Sequence, residues 1–218
     1  MALLDVRTLS NQVFEKVRDR ILSGALAADA PIRQDALALE LGVSKIPVRE
    51  ALSKLESHGL VASHPYRGFV VRTLSREEAE DVFDLRLKLE PDAAALGAQR
   101  ANREAQAAAE AALAAFDRAL RTRSDDVGRC NREFHLALVR PAGRDLTVQT
   151  IERVLTLAER YVSVHLGPRG RSDRARREHR SLLEAWLKRR ETVVRSTTEQ
   201  HINATLRDLR AQLPAAED

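Results

Sequence analysis

The sequence predicts a mainly α-helical chain in two parts: a short N-terminal unit of three helices and one small β-hairpin, then an all-α helical bundle. Three observations point there. Apolar residues recur at helical spacing through most of the chain. Alanine is abundant after Ala93, beside the helix formers Leu, Arg and Glu. Strand-like stretches are confined to the region before residue 74. A length of 218 residues suits one large domain or two small ones. The 31% charged and 44% hydrophobic fractions are those of a soluble globular protein.

The elements follow in order. Leu9, Val13, Val17 and Ile21 recur every four residues, so Leu9–Ser23 reads as an amphipathic helix stopped by Gly24. Ala36–Leu41 reads as a short second helix ended by Gly42. Ser44 is a candidate hydroxyl cap for a third helix with Val48, Leu52 and Leu55 as its apolar face and Gly59 as its end. Leu60–Ser63 and Gly68–Arg72 read as two strands joined by His64-Pro65-Tyr66-Arg67. Helix, helix, turn, helix and hairpin together make a winged helix-turn-helix pattern. Thr73-Leu74-Ser75 is the expected joint, so the expected domains are 1–74 and 75–218. Ser75 followed by Glu78 is a capping box opening a new helix. From there only helical periodicity is found, with breaks expected near Pro91, Ala101–Arg103, Arg123–Asp126, Pro141–Arg144, Gly167–Arg171 and Glu191, giving six or seven helices.

Composition narrows the function classes. Cys130 is the single cysteine, which excludes an intramolecular disulfide and a cysteine zinc cluster and fits a reducing compartment. No apolar run approaches the roughly 18 residues a membrane helix needs, and the opening MALLDVRTLS lacks the apolar stretch of a signal peptide. The expected location is cytoplasmic, with no membrane partner. A net charge of +4 permits a nucleic-acid partner without arguing for one.

The third helix carries the argument for DNA. A reading helix presents polar side chains to base edges and phosphates at its N-terminal end while its other face packs down. Ser44, Lys45, Pro47 and Arg49 occupy that leading end. Arg49 can fork onto a guanine or hold a phosphate, and Lys45 suits phosphate. Arg67 and Gly68 lie at the hairpin tip, where a glycine lets the backbone approach a minor groove closely. Read singly, any of these cations is equally a solvated surface charge.

Here the chain resembles the GntR family of regulators, over Val13–Arg72. The stretches VFEKVRDRILSGAL, LALELGVSKIPVREALSKLESHGLV and HPYRGFVV carry the resemblance. It implies a homodimer on a short palindromic operator of double-stranded DNA. Asp35 stands where the family usually has an arginine, which removes one common base contact, and Arg33 is the candidate substitute. Lys45 replaces another customary arginine and lacks its bidentate geometry.

In the helical half, Asn131 and His135 lie four residues apart on one helix, and His179 and His201 lie on later helices. Imidazoles from three helices can meet inside a bundle and hold a borderline divalent ion. Scattered histidines are as readily surface or core residues. Arg86 shares a face with Phe83 and Leu89. It is either half of a helical ion pair with Glu90 or the partner of a carboxylate ligand. One of Tyr161, Ser163 and His165 is a further candidate to line a pocket, their alternating phases making the others packing or surface residues.

Residues 78–211 resemble the FCD ligand-binding domain of FadR-type GntR regulators, on Asp84-Leu-Arg-Leu-Lys-Leu-Glu90, Asn131-x-x-Phe-His135, Glu178-His179 and His201. The resemblance implies a bundle with a central cavity. It also implies a divalent metal, Zn or Ni, on Asn131, His135, His179 and His201, and a small carboxylate effector with Arg86 near it. Asn131 stands where the family has an aspartate, bringing an oxygen without charge.

The resulting expectation is a ligand-responsive transcription regulator. The rival is a metal-dependent hydrolase using the same histidines. It lacks a general base placed beside them, a phosphate loop and a G-x-S-x-G motif.

Overall fold

The computed structural model describes residues 8–122, 124, 126–166, 168 and 170–213, without the side chains at 163 and 164. The chain divides into two compact units, Met1–Thr73 and Leu74–Asp218.

The first unit opens with α1 (Leu9–Leu22), which buries Val13, Phe14, Val17, Ile21 and Leu22 and is capped by the Thr8 hydroxyl. Strand β1 (Pro31–Ile32), α2 (Gln34–Leu41) and α3 (Lys45–Ser57) follow. Gly42 ends α2 at φ +66°, a left-handed conformation that glycine adopts without a Cβ penalty. Ser44 occupies the N-cap position of α3, but its hydroxyl makes no capping hydrogen bond. That corrects the expected cap. The residue is exposed, so water is available to the first-turn N–H groups.

Strands β2 (Val61–His64) and β3 (Gly68–Val71) form the hairpin, and β1 joins the far side of β3 to give the antiparallel order β1-β3-β2. Two residues led by a proline are too short for a period-2 pattern, so β1 had no sequence signal. The hairpin register pairs Val61 with Val71 and His64 with Gly68. In the turn, the Arg67 N–H donates to the His64 carbonyl at 3.3 Å, with Tyr66 at φ +65°. Val17, Val48, Leu52, Leu55, Leu60 and Val61 centre the core of this unit.

The second unit is helical: α4 (Arg76–Arg100), α5 (Arg103–Thr122), α6 (Val127–Val139), a short 3-10 turn (Arg140–Ala142), α7 (Asp145–Leu166), α8 (Arg171–Leu187) and α9 (Glu191–Gln212). The Ser75 hydroxyl accepts the Glu78 N–H at 3.0 Å, as the capping box requires. The expected break at Pro91 does not occur, because α4 continues through it. A proline in a helix interior costs about 3 kcal/mol. Here Pro91 lies in a buried run with Glu90, Ala93, Ala94 and Ala95, so packing holds both sides of it in helix.

Two apolar clusters fill this unit. One gathers α4, α5, α6, α7 and α8 around Phe116, Phe134, Leu138 and Trp186. The other joins Phe83, Val154, Tyr161, Ile202 and Leu206. At Gly97 the backbones of α4 and α6 meet so closely that an added Cβ would lie 2.1 Å from the Leu138 carbonyl oxygen. The same oxygen accepts the Trp186 indole N–H at 3.1 Å.

Candidate functional site

In the first unit, the buried side of α3 is Val48, Ala51, Leu52 and Leu55, which leaves its leading end outward. Ser44, Lys45 and Arg49 are exposed there and Pro47 is half-buried. Lys45 Nζ lies 2.7 Å from Asp35 Oδ1 of α2, with both side chains mostly in solvent. The acid that replaces the customary arginine therefore holds the lysine that replaces the other. Arg33 is exposed at the N-cap of α2. Arg67 and Gly68 are exposed on the wing, and Arg67 reaches Asp29 at 3.5 Å. Ile46 and Tyr66 are exposed on the same two elements, and neither was among the residues expected to touch DNA.

In the second unit, His135 of α6, His179 of α8 and His201 of α9 converge, each contributing one ring nitrogen to a set lying within 4.8 Å of one another. All three are buried. Ring centroids stand 4.7 Å apart for His179 and His201, and 5.3 Å apart for His135 with either. Phe116 and Phe134 both pack on the His179 ring at 4.7 Å. Each outer imidazole is backed by a carboxylate. His135 Nδ1 faces Glu90 Oε2 at 3.2 Å, and His201 Nδ1 donates to Glu178 Oε2 at 2.7 Å. That fixes both Nδ1 atoms as proton carriers and leaves the Nε2 lone pairs pointing inward, the arrangement that supports histidine ligands in metal sites. His201 Nε2 and His179 Nε2 are 3.2 Å apart. His135 Nε2 and His179 Nδ1 are buried without a hydrogen-bond partner among the described residues.

The electrostatics keep His135 and His179 neutral. Burial pushes His135 down to about 4, against the opposing pull of Glu90. Burial, then the neighbouring His201 and His135, hold His179 well below the ordinary histidine range. Burial disfavours the Glu90 carboxylate, but Arg86 and His135 outweigh it and bring Glu90 to about 2. Neutral imidazoles with free lone pairs are the form that binds a metal. The donor set therefore fits a borderline divalent ion. Asn131, half-buried one turn before His135, is the remaining candidate ligand.

Arg86 is committed to Glu90, with Nε to Oε1 at 2.5 Å and both side chains 2% exposed. Of the two alternatives for Arg86, the ion pair is the one formed here. A carboxylate ligand would have to exchange with Glu90. A surface cleft of about 410 Å³ is lined by Lys88, Asp92, Arg144 and Arg195, among others, and by none of the histidines.

A second layer of charge extends from Glu178. Arg174 Nε lies 3.3 Å from Glu178 Oε1, and Arg174 also pairs with Asp208. His165, buried and pushed down to about 4 by burial, lies 3.4 Å from Asp208. Tyr161 donates its hydroxyl to Glu78 at 2.6 Å and so serves the α4 N-terminus rather than the histidine centre. The Ser163 side chain lies outside the described residues. Sequence reasoning assigned no role to Glu178, which the structure places behind His201. Its place beside His179 was the available signal.

Residues 9–71 match the family of bacterial regulatory proteins named gntR, and residues 81–204 match the FCD domain. The chain belongs to the GntR family and carries an FCD domain. Its GntR relatives include the uncharacterized HTH-type transcriptional regulator YdhC of Bacillus subtilis, 25% identical over 88% of this chain and 87% of that protein. The HTH-type transcriptional repressor GlaR of Escherichia coli is 30% identical over 66% of this chain and 68% of that protein. Among solved structures, E. coli McbR/YncC shares the fold with a TM-score of 0.81, at 22% identity over 94% of this chain and 98% of that one. This GntR protein is a transcriptional regulator of the DNA-binding class, and its relatives are regulators rather than enzymes. None of its described helices is long and apolar enough to cross a membrane.

Proposed function

We propose that this chain is a cytoplasmic, ligand-gated DNA-binding regulator in which residues 1–74 read a short palindromic operator as a homodimer and residues 75–218 sense a small carboxylate. The DNA contacts are Ser44, Lys45, Pro47 and Arg49 at the leading end of α3, Arg33 beside them, and Arg67 and Gly68 on the wing. A divalent ion, Zn or Ni, is held by His135, His179 and His201 with Asn131 completing the set. When bound, the ion supplies a Lewis-acidic position for an anionic effector oxygen.

One observation carries the reading: three imidazoles converge in the interior of the helical unit, two with carboxylate backing. A core selected for packing alone replaces such groups with apolar ones, because buried unpartnered nitrogens are costly. This chain's own residues set the effector chemistry. Arg86 offers a buried guanidinium that can exchange from Glu90 to a ligand carboxylate, and Glu90 also orients His135. A palindromic operator calls for a two-fold protein.

The test is a thermal-shift screen of small carboxylates with and without Zn²⁺ or Ni²⁺, followed by operator binding with the best compound. The expected result is a carboxylate whose shift requires the metal and which changes operator affinity. A panel without any metal-dependent shift defeats the gating reading. Light scattering of a monomer, both free and with DNA, defeats the dimer.

A further inference from the structure

The outward face of α3 carries an apolar residue that the fold does not use. Val48, Ala51, Leu52 and Leu55 point into the core and are 0% exposed. At 3.6 residues per turn the opposite side presents Ile46, Arg49, Glu50 and Ser53, and Ile46 sits in the middle of it, 70% exposed. A β-branched side chain in helix loses rotamer freedom against the preceding turn, and in solvent it recovers no packing. Stability of the unit gives no reason for an isoleucine at this position.

Its neighbours define what it can meet. Lys45 is drawn toward Asp35. Arg49, three residues on, shares the outward face. An isoleucine offers no hydrogen bond. The apolar feature of the major-groove code is the 5-methyl group of thymine.

We propose that Ile46 is a specificity-determining residue that packs against a thymine methyl in the major groove, next to the base pair addressed by Arg49. Residues three apart on a helix surface have Cβ atoms about 5–6 Å from one another, and bases stack at about 3.4 Å per step. Ile46 and Arg49 therefore reach adjoining or next-but-one base pairs. The assignment rests on the reading of α3 as the DNA-reading helix, and its test separates the two.

Full-length protein is first used to select binding sequences from a pool of random duplexes. Each thymine of the selected sequence is then replaced in turn by deoxyuridine, which keeps the pairing and deletes only the methyl. At one thymine per repeat of the site the wild type is expected to lose about fourfold in affinity, the worth of one buried methyl-sized group. Ile46→Ala is expected to fold and melt like wild type and to bind the thymine and deoxyuridine duplexes equally. Arg49→Ala weakens binding overall but keeps the methyl effect. A wild type indifferent to every deoxyuridine, or a methyl effect that persists in Ile46→Ala, overturns the Ile46 assignment and leaves DNA binding standing. Failure to enrich any duplex defeats the DNA reading of α3, and Ile46 falls with it.

Discussion

Replacing His179 by leucine separates a metal centre from a core that merely tolerates histidines. The ring is fully buried between Phe116 and Phe134, and its Nδ1 has no hydrogen-bond partner among the described residues. Without metal, that orphaned nitrogen costs about 1–3 kcal/mol, and a leucine of similar bulk removes the cost. Metal-free His179→Leu is therefore expected to be as stable as the metal-free wild type, or more stable by up to that amount. With metal the order reverses. An ion at one hundred times its dissociation constant stabilises the wild type by about 2.7 kcal/mol. For a unit of this size that corresponds to a rise of roughly 5–10 °C in melting temperature. The variant, having lost one of three converging ligands, should show little of this rise. The assay is thermal unfolding of both proteins after chelation, then with added Zn²⁺ or Ni²⁺. Equal metal shifts in the two proteins refute the reasoning. So does a variant that loses several kcal/mol in the chelated state, because the ring would then be a packing requirement.

Other expectations follow from single contacts. Arg49→Ala should weaken operator binding at least tenfold (about 1.4 kcal/mol) with an unchanged circular dichroism spectrum, and wild-type affinity in a gel-shift assay would remove Arg49 from the interface. Gly97→Ala sets a Cβ against the Leu138 carbonyl and should destabilise by about 2 kcal/mol or more, measured by urea unfolding; a neutral result means that α4 and α6 separate freely. Burial lowers His135 and His165 in the folded chain to about 4 from an ordinary 6.5. The unfolded chain therefore takes up their protons first as pH falls, and the chelated protein should lose stability from about pH 6.5 down to about 4. Glu90, held at about 2 against 4.5, adds a further loss below pH 4.5. Flat stability between pH 7 and 4 would contradict the buried, neutral state of these imidazoles.

Much of the fold was legible because local and tertiary signals agree. The four-residue recurrence from Leu9 to Ile21 marks the buried face of α1, and Gly42 and Gly59 take the positive φ that their stop signals imply. The Ser75 hydroxyl caps α4 at the Glu78 N–H, the forward half of the capping box that their spacing indicates. Two of the failures share one cause, which is tertiary structure overriding or supplying what the local sequence does not. Pro91 reads as a breaker, yet the alanines after it are buried and keep the helix whole. β1 exists through its pairing with β3, and nothing in Pro31–Ile32 alone predicts it. At the histidine centre, motif spacing identified which imidazoles to consider. It did not reveal that Glu90 and Glu178 stand behind two of them, because those contacts cross between helices. Glu90 was recognisable only as a helical neighbour of Arg86, and the structure makes it the hinge between that arginine and His135.

The ion pair between Asp35 and Lys45 bears on how such a reading head finds its target. A lysine already matched by an acid displaces fewer counterions from a duplex when it docks, so it adds less to the salt-sensitive, sequence-blind attraction that each phosphate contact supplies. Random and specific DNA lose that attraction alike, so overall affinity and its salt dependence both fall. The ratio between correct and random sequences then rests on groups that touch base edges, which the ion pair leaves untouched.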